Sequence, residues 1–185
     1  MFADIKAEAY CSGCAPDLIS KYRSKINEDK ENLTANLKTV IDVIPIITVN
    51  SPDKWEYNII DIVSAQSVTG TGIFSEISSS FSDFFGSQSD SLANKIAGGE
   101  RLCKAQLRYK TAILGGNAVI AADIDYAEVG GTKGMLMVCM AGTAIRVDNV
   151  GSIFKDKVER LETLKKYIEE LNYLSNLRTT FDEFY

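Results

Sequence analysis

Two apolar segments rich in β-branched residues, 117–128 and 135–147, lie on either side of the glycine-rich segment 130–134, which reads Gly-Gly-Thr-Lys-Gly. This pattern is typical of a β-hairpin with a rather long loop. Residues 55–68 contain a nearly continuous run of isoleucine and valine, which predicts a further strand buried on both faces. Residues 43–49 predict a short strand that its proline restricts to an edge or a first position. The chain is therefore expected to build a small sheet.

Four segments repeat apolar residues at intervals of three and four, the spacing of an amphipathic helix. Residues 16–41 predict an N-terminal helix, and residues 153–177 predict a strongly charged C-terminal helix that either packs on its own domain or pairs with a partner. Residues 73–85 predict a short phenylalanine-rich helix, and residues 90–114 a longer one. In the longer helix the glycine pair 98–99 predicts a kink or break, because each glycine costs about 1 kcal/mol in a helix interior.

The composition excludes several classes of protein. Of the 185 residues, 45% are apolar and 24% are charged, which is the balance of a globular protein with one domain and appendages. The chain contains no histidine, so by itself it has no Ser-His-Asp triad, Cys-His pair or HExxH metal helix. A net charge of −5 repels phosphate backbones and predicts no nucleic-acid partner. Neither a secretory signal nor a membrane span is recognisable, which predicts a cytoplasmic protein with no membrane partner.

The strongest local signal for chemistry is Cys11-Ser-Gly-Cys14, a CxxC turn. Two thiolates at this spacing can bind one tetrahedral zinc ion, at about 2.3 Å from each sulfur. They supply only half of a structural site, which needs four ligands. Cys103 with Cys139, a carboxylate, or the same pair from a second chain would have to complete it. A redox pair and unbound thiols are the alternatives, although the strand that precedes a thioredoxin-type CxxC is missing.

Two weaker candidates lie on the predicted hairpin. Met135, Met137 and Cys139 share one face of a strand and offer soft ligands that suit Cu(I). Such residues are also common in cores, and this face is expected to lie beneath the long helix. Asp123 and Asp125 share a face of the preceding strand, where a hard divalent cation, solvent or an interface lysine would offset their repulsion. Because no nucleophile or pocket is recognisable beside them, the sequence predicts no enzyme.

The glycine-rich stretch 70–72 is a poor nucleotide-binding motif. Ser75 replaces the last glycine of GxGxxG, and the phosphate-loop pattern is absent from the sequence. A tight turn accounts for this stretch better, so no cofactor other than a metal ion is predicted.

Several short motifs follow one another along the chain. They are Gly70-Thr71-Gly72 with Phe74, Ser82-Asp83-Phe84-Phe85-Gly86, Leu114-Gly115-Gly116-Asn117-Ala118-Val119-Ile120, Asp123-Ile124-Asp125-Tyr126, and Met135-Leu136-Met137-Val138 leading to Gly142-Thr143-Ala144. In this order and at these spacings they resemble the YbjQ-like family, which is labelled heavy-metal-binding. The resemblance covers about residues 43–147. The sequence departs from it at Ala65-Gln66, where relatives usually have Gly-Glu, and at the glycine pair 98–99, in a helix that is usually continuous.

The resemblance implies an α+β fold, namely a YbjQ-like or dodecin-like small antiparallel sheet packed with helices, which assembles into pentameric rings. It implies no known reaction and no catalytic residue. The chain then divides into an N-terminal CxxC and helix extension (1–42), a YbjQ-like domain (43–147) and a C-terminal amphipathic helix (148–185).

We expect a non-enzymatic homo-oligomer that binds a transition metal, with zinc held through Cys11 and Cys14. The alternative is a metal-free assembly or scaffold protein that contacts another protein through its terminal helices.

Overall fold

A computed structural model describes residues 15–68, 92–129 and 135–183 of the chain. In these ranges a three-stranded antiparallel sheet is packed with helices, which confirms the predicted α+β class. The elements in chain order are α1 (Ala15–Val40), a 3-10 turn (Ile41–Val43), β1 (Tyr57–Val68), α2 (Leu92–Ile113), β2 (Ala118–Val129), β3 (Met135–Val147), the short helix α3 (Val150–Ile153) and α4 (Val158–Glu183). Ring formation concerns several chains and stays a prediction.

The two strands of the predicted hairpin pair with each other, and the second of them, β3, is the central strand of the sheet. β3 pairs with β2 on one side and with β1 on the other, so the strand order is β1-β3-β2. The predicted phenylalanine-rich helix, 73–85, lies outside the described residues. None of the described helices has the length and apolar character that a membrane span requires.

The segment predicted as an edge strand, 43–49, runs beside β2 without forming a regular strand. The Ile47 amide donates to the Val119 carbonyl at 2.9 Å, and the Val119 amide donates to the Pro45 carbonyl at 2.9 Å. The bridge formed here, between Ile46 and Val119, is parallel. Pro45 has no amide hydrogen but can still accept, so an edge position suits it. The edge placement is therefore confirmed, whereas the regular strand is not.

β1 is an edge strand, and the prediction that it is buried on both faces is wrong. One edge of β1 pairs with β3, and among the described residues no strand pairs with its other edge. Ile59 and Ile62 are 71% and 76% exposed, whereas Val63 and Ala65 are buried in a cluster with α2. A continuous apolar run indicates a doubly buried strand only where a second layer covers it. The described part of one chain supplies no such layer over these isoleucines.

Helix α2 runs from Leu92 to Ile113 without the break predicted at the glycine pair 98–99. Gly99 has a packing role, because a Cβ built there would lie 2.8 Å from Cγ2 of Val138 in β3. The missing side chain lets the helix lie close to the central strand. This close packing offsets the low helix propensity of glycine, so the helix continues.

Helices α1 and α4 pack on each other in antiparallel directions. The main core joins them to the sheet through residues that include Leu37, Leu164 and Ile145. A separate cluster consists only of α1 and α4 residues, and its buried members are Ile26, Leu33, Leu171 and Leu174. We call this pair of helix segments, 15–33 with 171–183, the arm. The apolar seam of the C-terminal helix thus packs on its own chain, which is one of the two alternatives that the sequence left open.

Candidate metal centre

Cys11 and Cys14 lie outside the described residues, but the helix that follows them is described. α1 begins at Ala15, directly after Cys14, and carries Asp17 in its first turn. The N-terminal end of a helix of 26 residues bears a partial positive charge, which favours thiolates over thiols nearby. In the sequence the CxxC pair directly precedes this helix.

The arm separates this end of α1 from the other cysteines. From Ala15 to Leu33 the helix spans about 27 Å, at about 1.5 Å per residue. The arm cluster contains only α1 and α4 residues, and the cluster around Cys103 contains none from either helix. Cys11 lies four positions before Ala15, a separation that can span at most about 14 Å when fully extended. Neither Cys103 nor Cys139 is among the residues of the arm cluster.

Cys103 is a buried structural thiol. Its side chain is 0% exposed, it packs with Leu107 and Val138, and its Sγ donates to the Val138 carbonyl at 3.4 Å. Burial, with smaller contributions from Cys139 and from Glu100, raises the pKa of Cys103 from 9.0 to about 12. A metal needs the thiolate, so this cysteine is a poor ligand.

The sulfur stripe of β3 does not lie beneath α2, which corrects the sequence prediction. Val138 and Met140 are buried in the cluster with α2, and they alternate with half-buried side chains on the opposite face. That opposite face carries the stripe itself, Met135, Met137 and Cys139. The close approach of Gly99 to Val138 lies on the face that α2 covers. Cys103 and Cys139 consequently lie on opposite faces of the sheet, and both are free thiols.

Asp123 and Asp125 are both exposed, on the face of the sheet that points away from α2. Asp125 pairs with Cys139 across the strands, and the register of β2 shifts just before Asp123, where Ala121 has a φ of 52°. Within the described ranges no group of three Cys, Asp or Glu side chains is placed to hold a metal ion. A hard cation prefers at least six oxygen ligands, so this pair alone is better described as a solvated surface.

A polar network that the sequence did not predict joins α2 to β2. The Tyr126 hydroxyl donates to Glu100 Oε1 at 2.8 Å, and Lys104 Nζ lies 3.2 Å from Glu100 Oε2. The hydrogen bond from Tyr126 first, and that from Lys104 second, lower the pKa of Glu100, while the same tyrosine bond raises the pKa of Tyr126. The spacing of Glu100 and Lys104 on one helix face is visible in the sequence. The tyrosine joins them only through the fold.

An open groove of about 470 Å³ lies between α4, the end of α2 and the end of β3. Its lining combines apolar side chains such as Leu161 and Ile168 with charges of both signs, including Arg146, Lys165 and Glu169. No cysteine is among the residues that line it. The groove therefore adds no soft ligand to the candidates above.

Comparison with known proteins places the central part of the chain in context. Residues 44–148 match the model of a family described as "putative heavy-metal-binding". A UPF0145 protein of Listeria grayi is 32% identical over 106 residues, which are 56% of this chain and the whole of that protein. A crystal structure of a protein of unknown function from Pediococcus pentosaceus, described as belonging to the DUF74 family, is 20% identical. That match covers 57% of this chain and 98% of the other, with a TM-score of 0.37.

The matched region begins after α1 and ends before α4. It contains the sheet, α2 and the residues Asp123, Asp125, Cys103 and Cys139. The CxxC pair and the arm lie outside it, so they are additions of this chain to the shared domain.

Proposed function

The chain belongs to the protein family described as "putative heavy-metal-binding", and from this membership we propose that it is a cytoplasmic, non-enzymatic homo-oligomer that binds a transition metal. The metal is zinc, and its ligands include the thiolates of Cys11 and Cys14. The family description supports a metal, and the CxxC spacing supports this particular metal, because paired thiolates are typical zinc ligands.

The choice of Cys11 and Cys14 as ligands rests on the observation that the other candidate residues are poorly suited to bind a metal. Cys103 is fully buried and its pKa is raised to about 12. Asp123 and Asp125 are exposed, and no group of three potential ligands is found in the described part of the chain. The CxxC pair is the candidate whose spacing and position before a helix both favour binding.

The oligomer that we propose is a pentameric ring, as the resemblance implies, and its contact surface includes β1, through its outer edge and through the face that carries Ile59 and Ile62. Two side chains support this surface, Ile59 and Ile62, which are 71% and 76% exposed. An unpaired edge strand with exposed isoleucines invites pairing with another chain.

The test is elemental analysis of the chain purified without chelators or a metal-affinity tag. We expect stoichiometric zinc in the native chain and none in Cys11→Ser/Cys14→Ser, since two thiolates are lost together. Cys139→Ser is the matched control and should retain its zinc. Zinc kept by the double variant, or missing from the native chain after incubation with zinc, would refute the proposed ligands.

A metal-free assembly or scaffold protein is the second candidate, and the exposed edge of β1 favours it as well. Such a protein would show the full mass of the ring by light scattering without bound zinc. Its contact surface would be β1 more than the terminal helices, because the seam of α4 is occupied by α1.

A further inference from the structure

The open groove of about 470 Å³ lies where the helix α4 meets the domain shared with relatives. One wall is α4, along a stripe from Val158 to Asn172 that spans about 21 Å at about 1.5 Å per residue. The other wall consists of the end of α2, residues 115–117 and the end of β3. The family match ends at residue 148, before α4 begins. The groove is therefore created by a helix that lies outside the shared domain.

The size and the apolar lining of the groove suit a small organic ligand. Binding pockets for such ligands commonly have volumes of about 300–1,000 Å³ and mainly apolar walls with a few polar groups. Leu161 and Ile168 are buried, whereas Val150 and Val158 are half-buried and Ile113 is 37% exposed. The last three side chains can contact the apolar part of a ligand.

Three of the five charged side chains that line the groove already have partners. Asp148 accepts a hydrogen bond from Asn58 Nδ2 at 2.8 Å. Lys165 Nζ lies 3.7 Å from Glu169 Oε1, one turn further along α4. These three charges are therefore offset within the chain.

The other two charged side chains are Arg146, on the β3 wall, and Glu162, on the α4 wall. Both are exposed, and within the described ranges neither makes a hydrogen bond or an ion pair. A purely anionic ligand would meet Glu162, and a purely cationic ligand would meet Arg146. A ligand with a carboxylate at one end and an ammonium group at the other can pair with both, because each contact is then a charge-assisted hydrogen bond.

We propose that this groove binds a short apolar peptide with free termini. The peptide carboxylate pairs with Arg146, whose planar guanidinium suits a carboxylate, and the ammonium group pairs with Glu162. The apolar side chains of the peptide contact Ile113, Val150 and Val158. A single amino acid carries both charges on one carbon, whereas a peptide separates them, as two opposite walls require. This binding goes beyond the proposed zinc function and does not depend on it.

The experiment is isothermal titration calorimetry of the full chain with the dipeptide leucyl-leucine and with two capped forms of it. N-acetyl-leucyl-leucine lacks the ammonium group, and leucyl-leucine amide lacks the carboxylate. We expect saturable binding of the free dipeptide. Each capped form should bind about 3- to 10-fold more weakly, because it loses one charge-assisted contact at an exposed site.

Two variants assign the two contacts. Glu162→Gln should abolish the preference for the free amino terminus and keep that for the free carboxylate, whereas Arg146→Gln should do the reverse. A merely structural role of either side chain would not separate the two preferences. Glu170→Gln and Lys166→Gln remove the same charges from exposed positions of α4 that do not line the groove, so they should keep both preferences.

Three results would overturn the proposal. The first is a native chain that gives no saturable binding of leucyl-leucine at millimolar concentrations. The second is equal affinity of the native chain for the free and the capped dipeptides. The third is a pair of groove variants that keep both preferences, which would place the peptide elsewhere on the chain.

Discussion

The reactivity of the Cys103 thiol is controlled by its burial. In Cys11→Ser/Cys14→Ser, two cysteines remain, Cys103 and Cys139. We expect an alkylating reagent near pH 7.5 to modify one of them in the native protein and both in denaturant, because Cys103 is 0% exposed and its pKa is raised to about 12. Intact mass spectrometry counts the labels. Two labels under native conditions would contradict the buried placement.

The same thiol makes the free energy of unfolding depend on pH. Its pKa is higher in the folded protein than the ordinary value of 9.0, so the unfolded chain releases this proton first as the pH rises. The contribution is intact below pH 9 and is lost between about pH 9 and 12, by at most about 1.4 kcal/mol per pH unit. Denaturant titrations give the free energy of unfolding at each pH. Between pH 9 and 12 this free energy should fall more steeply with pH for the native chain than for Cys103→Ala.

Gly99 illustrates how one missing side chain sets the distance between two elements. Gly99→Ala would place a Cβ 2.8 Å from Val138 Cγ2. We expect a loss of about 1–3 kcal/mol of stability from overpacking, reduced by up to about 1 kcal/mol because alanine favours helices. Gly151→Ala is the control, since nothing lies within 4 Å of its added Cβ. Thermal unfolding measures both, and a stabilised Gly99→Ala would contradict the close packing.

At the scale of elements, the arm is a unit held by few side chains. Leu174 is 2% exposed and packs with α1, whereas its neighbour Tyr173 is 50% exposed. Leu174→Ala should cost about 2–5 kcal/mol, mostly within the arm, because a buried leucine is removed and a cavity is left. Hydrogen exchange should then rise in residues 15–33 and 171–177 but not in β3. Tyr173→Ala, the control, should leave hydrogen exchange unchanged in both regions. Equal exchange in the two variants would contradict the packing of Leu174 on α1.

The elements differ in how far the sequence predicted them. The paired strands β2 and β3 and the helices α1 and α4 were predicted correctly from the spacing of apolar residues, which is a local property of the sequence. The continuity of α2 at Gly99 depends on Val138, a residue far along the chain, and no local rule contains that contact. The prediction that Ile59 and Ile62 are buried was wrong for a similar reason. The residue pattern of a strand does not reveal what covers the outer face of that strand. Of the candidate site, the sequence proposes Cys11 and Cys14, which stays a prediction, and the fold shows that Cys103 is a buried thiol with a raised pKa.

For the whole molecule, the outer edge of β1 is the surface through which we expect copies to meet. Ile59→Lys/Ile62→Lys places two charges on the exposed face of this edge strand, where charged side chains oppose the docking of another chain. We expect the mass by light scattering to fall from that of the ring to that of one chain. Leu114→Lys, at an exposed leucine outside the edge, is the control and should keep the native mass. An unchanged ring in the double variant would exclude β1 as the contact.

The pairing of α1 with α4 has a consequence for synthesis on the ribosome. α1 is translated well before α4, and at roughly 5–20 residues per second the interval is on the order of ten seconds. During this time Ile26 and Leu33 lack the α4 side chains that cover them, although both are buried in the finished protein. This part of α1 is therefore accessible to chaperones and to neighbouring nascent chains until α4 emerges from the ribosome. A ribosome that stalls before α4 leaves a sheet whose main core lacks Leu161, Leu164 and Ile168, attached to an α1 whose arm residues are uncovered.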